Sequence, residues 1–123
     1  MPDAPVQLLV EDGRLRIDSP TGFDRASLLG SIDIPVEHVT DVEVVERPGD
    51  AITGWREGIG LPHLRMGTWH HDGAKDYVAV NTQVPGVVVT LREEEFARLV
   101  VSAADPSGLA RQIISARDTA AGG

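Results

Sequence analysis

Residues 96–116 read "FARLVVSAADPSGLARQIISA", and the change of pattern inside this stretch decides the fold. Its first half carries a short apolar run, Leu99-Val100-Val101, too short for a helix and with two β-branched valines that suit a pleated strand. Its second half opens with Asp105, whose side chain can cap the first free backbone N–H groups of a helix. Pro106 follows at the first helical position, where its missing N–H costs nothing. Leu109, Gln112, Ile113 and Ala116 then fall on one face at helical spacing. The stretch predicts a strand passing directly into one capped amphipathic helix, with a frayed tail from about residue 118.

Upstream, the signals are those of strands. "RMGTW", "DYVAV" and "GVVVTL" are separated by turn dipeptides at Asp72-Gly73 and Pro85-Gly86, the pattern of an antiparallel meander. A two-residue turn at Asp72-Gly73 would pair Trp69 with Asp76 and Thr68 with Tyr77, while a loop one residue longer would shift that register, so the sequence does not choose the face of Trp69. Near the start, "VQLLVEDGRLRID" (6–18) places two apolar-rich runs around Asp12-Gly13, a type I′ hairpin signal. Ser31–Ile34 reads as a short strand ended by Pro35, and Val42 and Val44 alternate with Asp41 and Glu43 in another. Between Ala51 and Leu64, Gly54, Gly58, Gly60 and Pro62 oppose regular structure, and the segment reads as an ordered loop pinned by Ile52, Trp55, Ile59 and Leu61. About seven strands followed by one helix make a mainly β domain, in which a barrel would remove strand edges and the helix would plug an open end.

The 123 residues suit one domain, and 41% apolar with 24% charged residues lies near the globular average and indicates neither a disordered nor a fibrous chain. A net charge of −8 repels the phosphates of nucleic acid and an anionic membrane surface. The five aromatic residues, Phe23, Trp55, Trp69, Tyr77 and Phe96, are too scattered for a base-stacking platform. Cysteine is absent, which removes disulfides, thiolate zinc sites and a cysteine nucleophile. No signal-peptide pattern or apolar run of membrane-spanning length occurs, so a cytoplasmic, soluble protein is the expectation.

Three stretches together resemble the bacterial pleckstrin-homology-like (PH-like) domains, specifically small stand-alone ones. They are "SIDIPVEHVTDVEVVERP" (31–48), "GWREGIGLPHLRMGTW" (54–69) and "RLVVSAADPSGLARQI" (98–113). The resemblance covers nearly the whole chain. It implies a single domain over residues 1–123, a bent seven-stranded antiparallel barrel capped by the C-terminal helix. It also implies a non-enzymatic module that binds a protein or assembles with itself, without a cofactor. The eukaryotic relatives hold phosphoinositides with a lysine and a basic-x-arginine pair around the first hairpin; here Arg14-Leu15-Arg16 matches, but no lysine precedes it.

The candidate chemistry is sparse. In "GTWHHDGAKDY" (67–77), His70 and His71 are adjacent, and neighbouring strand side chains point to opposite faces, which works against joint metal binding. His70 with Asp72 would suit a metal, but His38 and His63 stand at no recognisable ligand spacing, so no metal site is expected and the histidines read as polar residues near a turn. No nucleophile elbow occurs, "GWREGIG" lacks the Lys-Ser/Thr ending of a phosphate loop, and Glu93-Glu94-Glu95 reads as a solvated turn. A histidine-based metalloenzyme is the third-ranked reading. The residue types most enriched at interface hot spots, Trp and Arg, meet at Trp55 and Arg56, flanked by Arg47 and His63, and these four form the candidate binding set. Arg14 and Arg16 form the alternative set, for a small ligand or lipid headgroup.

Overall fold

A computed structural model describes residues 6–18, 33–52, 55–61, 63–71 and 73–122; the side chains of 18, 55–61, 121 and 122 lie outside that description. The chain is mainly β, with two sheets and one C-terminal helix. The smaller sheet holds β1 (Gln7–Glu11), β2 (Arg14–Asp18) and β3 (Asp33–Pro35), in that order. Asp12 (φ 50°) and Gly13 (φ 73°) both take the left-handed conformation that a type I′ turn requires, so Glu11 pairs with Arg14 as the sequence predicts. Of the expected strand Ser31–Ile34, residues 31 and 32 lie outside the described residues, and pairing runs on through Pro35.

The larger sheet contains β4 (Val39–Val45), β5 (Trp55–Leu61), β6 (Leu64–His71), β7 (Ala74–Asn81), β8 (Gly86–Leu91) and β9 (Arg98–Ser102). Its order is β4-β8-β9-β7-β6-β5. Two expectations change here. The segment read as a loop contains β5, paired along its whole length with β6. Its glycines weaken the strand without breaking the ladder: every residue keeps a partner on β6, with Gly58 opposite Gly67 and Gly60 opposite Arg65. The purely antiparallel meander also fails at β9, which inserts between β7 and β8 and runs parallel to β7. The described residues thus form nine strands and no closed barrel. Gly86 allows the insertion: a Cβ there would lie 2.2 Å from the Val101 carbonyl oxygen.

Strand alternation gives the larger sheet two buried faces. Tyr77, Ala79, Val87, Val89, Leu99 and Val101 point to one face, where the smaller sheet and the helix cover them. Tyr77 meets Phe96 edge to face, with ring centroids 5.6 Å apart, and burial pushes its hydroxyl pKa up to about 12. Val78, Val80, Val88 and Val100 point to the other face with Trp69, and Val45, Ala51 and Ile52 pack over them. Among the described residues, the second face is therefore covered by a short 3-10 turn, Pro48–Ala51, and its flanks.

Helix α1 (Pro106–Gly122) starts as the sequence predicts: Asp105 Oδ1 accepts the Gly108 backbone N–H at 3.0 Å. Ala110 and Ile113 are buried, and Leu109, Ala116 and Ala120 pack beside them, while Gln112 is exposed. The helix continues past residue 118, where fraying is expected, because Ala120 still has core to cover. No described helix is long and apolar enough to cross a membrane.

Candidate binding groove

The second face of the larger sheet carries the most distinctive chemistry. On β7, Asp76 falls in step with Val78 and Val80, so alternation sends a carboxylate into an apolar layer. Its side chain is 1% exposed. The parallel β7–β9 ladder sets Arg98 directly beside it, and the β6–β7 hairpin returns His71 to the same face. Arg98 donates to Asp76 Oδ2 from Nε at 3.0 Å and from Nη2 at 2.6 Å, and His71 Nε2–H donates to the same oxygen at 2.9 Å. Charge-assisted bonds of this kind are what allow a carboxylate to be buried. Asp76 Oδ1 is buried with no hydrogen-bond partner among the described residues.

Arg98 has a second task. Its Nη2 also donates to the Ala51 carbonyl at 3.0 Å, so the buried ion pair holds down the turn that covers the sheet. Beside that turn lies an open groove of about 490 Å³, lined by Arg47, Asp50, Ile52, Arg65, Trp69 and Thr82, with Gly49 at its edge. Trp69, the register partner of Asp76, is buried in the apolar layer and forms part of the lining. Arg47 precedes the covering turn and is exposed, and Arg65 lies two alternations from Trp69 on β6. Two guanidinium groups and one carboxylate make this a locally cationic patch on a chain whose net charge is −8.

The sequence-derived candidates are partly gathered here. Arg47 lines the groove. His63 is exposed in the turn between β5 and β6, and its carbonyl accepts the Thr82 N–H at 2.9 Å, which ties it to a lining residue. Arg56 stands opposite Trp69 in the β5–β6 register and Trp55 opposite His70; the side chains of both lie outside the described residues. Sequence reading missed Arg65, Asp76 and Arg98. An aspartate in phase with Val78 and Val80 was the available signal for Asp76; its partner is 22 positions away.

The alternative cationic pair is differently placed. Arg14 and Arg16 do share one face of β2, and both turn to Asp33 of β3. Arg14 Nε donates to Asp33 Oδ1 at 2.5 Å, while Arg16 lies 3.7 Å from the same oxygen and 3.9 Å from Glu11. The Arg14 hydrogen bond holds the Asp33 carboxyl below the usual carboxylate range. Two cations already matched by two carboxylates do not form the convergent positive cluster that a phosphate needs.

Of the adjacent pair read as polar residues near a turn, His71 is engaged with a buried group, and so, in a separate segment, is His38 with an acidic one. His71 bonds buried Asp76, and His38 Nδ1 bonds Glu94 of the 93–95 run, whose Glu95 pairs with Lys75 at 2.9 Å. The three-glutamate turn is thus a clamp between loops as well as a solvated surface. Asp72 lies outside the described residues. Among the described residues, no group of three or more His, Asp or Glu side chains could hold a metal ion. Compared with known proteins, the chain matches no family model, no curated protein and no solved structure.

Proposed function

We propose that the chain is a non-enzymatic, PH-like binding module of the bacterial cytoplasm, and that the groove beside Trp69 takes a segment of a protein partner carrying an acidic side chain. The observation that carries this reading is the lining itself: Arg47 and Arg65 stand around an indole and Ile52 in one open concavity. Tryptophan and arginine are the residue types that most often dominate protein interfaces, and arginine matches a carboxylate in two-point geometry. Asp50 on the lip disfavours a second acid close by, which favours an isolated carboxylate over a polyanion.

Peptide binding followed by Trp69 fluorescence, in a Trp55→Phe background, tests this. Extended peptides with one aspartate or glutamate beside an apolar residue should bind, and their lysine counterparts should not. Arg47→Glu should reverse the preference, and added salt should weaken it. Equal binding of acidic and basic peptides, or a preference untouched by Arg47→Glu, refutes the reading.

A further inference from the structure

A second surface is separate from the groove and stands without it. β1 pairs on one side with β2, and on its other side lies a cleft of about 850 Å³. All residues from Val6 to Glu11 line that cleft, both those pointing inward and those pointing outward. A strand face would contribute alternate residues; consecutive ones mark a strand edge. The far wall is the end of β9 and the first turns of α1, including Ala103, Leu109 and Gln112. Among the described residues no second strand pairs with β1, and an edge of this kind presents its backbone groups to whatever extended chain can reach them.

The geometry points to a second copy of this chain, docked β1 to β1 around a two-fold axis. Such an axis, normal to the sheet, keeps the inner faces of both copies on the same side, so paired positions must have an even sum. The register centred on Leu9 pairs Leu9 with Leu9, Leu8 with Val10, and Gln7 with Glu11, using all five residues of β1. Inward apolar residues then meet apolar residues, and the one charge in the strand meets an amide. Centring on Leu8 or Val10 instead sets Leu9 against Gln7 or Glu11. One of the two edge strands of the larger sheet, β4, behaves in the opposite way. Any self-pairing of β4 near its middle sets Asp41 against Glu43, or an acid against its own copy, and like charges directly opposite are destabilising. Of these two edges, β4 resists its own copy and β1 accepts it.

The absence of cysteine makes the register directly testable. In full-length protein, Leu9→Cys places two thiols about 5 Å apart between Cα atoms, within disulfide reach, whereas the two copies of Gln7→Cys stand roughly 13 Å apart. Under mild oxidation the first should form a covalent dimer and the second should not. By size exclusion with light scattering, the wild type should be dimeric. Leu9→Lys and Leu9→Glu, each checked for an unchanged far-ultraviolet spectrum, should each weaken the dimer roughly a hundredfold, and mixing the two should restore it. A wild type that stays monomeric at its highest soluble concentration overturns the proposal. So does equal cross-linking of the two cysteine variants, or a dimer indifferent to both charged substitutions. A monomer with β1 amides protected from hydrogen exchange on the open side would assign the cleft to residues 19–32 of the same chain, and equally overturn it.

Discussion

Removing Arg98 tests whether the buried ion pair organises the second face. Arg98→Met keeps the apolar stem and deletes the guanidinium, leaving Asp76, 1% exposed, with His71 as its remaining partner. Breaking a buried pair from one side costs about 3–5 kcal/mol, because the surviving charge stays desolvated. Arg98 is itself 25% exposed, which places the expected loss near the lower end, about 3 kcal/mol. For a domain of this size that corresponds to roughly a 10 °C fall in melting temperature. The companion Asp76→Asn leaves Arg98 able to reach water and should cost less, about 2 kcal/mol. The double variant Asp76→Asn with Arg98→Met should be more stable than Arg98→Met alone, since no buried charge remains without a partner. Urea melts followed by circular dichroism give all three values. A single-variant cost under about 1 kcal/mol, or a double variant whose loss equals the sum of the singles, refutes the assignment.

Three further outcomes follow from the geometry. The Tyr77 hydroxyl is pushed up to about 12 by burial, so its folded pKa lies above the unfolded value near 10. Its contribution is complete below pH 10 and is lost as pH rises through the folded pKa, about 2–3 kcal/mol in all; phenolate absorbance should rise together with unfolding. Gly86→Ala would drive a methyl group against the Val101 carbonyl and the Ser102 Cα, at 2.2 and 2.8 Å, and should cost at least about 2 kcal/mol in denaturant melts. Asp105→Ala removes the cap on Gly108 and should cost about 1 kcal/mol, with faster hydrogen exchange confined to the first turn of α1.

Local chemistry was legible and distant pairing was not. The turn at Asp12-Gly13 and the start of α1 at Asp105-Pro106 depend on residues within a few positions of one another, and of the two registers open for the hairpin at residues 72–73 the structure has the one that pairs Trp69 with Asp76. The β5 strand was obscured by its glycines, which lower strand propensity locally, while the ladder that holds the segment is supplied by β6. Val44, read as an inward residue, keeps step with Val42 opposite Val87 and is nevertheless 43% exposed; it sits near the end of an edge strand, and alternation alone does not show how far the core extends over that face. Of the candidate site, Arg47 was legible from residue type. Arg65 shares its face with Trp69 by alternation along β6 but meets Arg47 only through the covering turn, and Arg98 joins only through the β7–β9 pairing; neither the turn nor that pairing has a short-range signature.

The insertion of β9 also bears on synthesis. β8 and β7 do not pair with each other, so the β4–β8 ladder and the β7–β6–β5 meander are joined as one sheet only through β9. On the ribosome, the Val-rich flanks of β7 and β8 stand as two open edges until residue 102 has emerged. During that interval the nascent chain carries its greatest hazard of pairing with a neighbour. Slowing translation between residues 91 and 98 should therefore lower the yield of soluble protein more than an equal delay after residue 102.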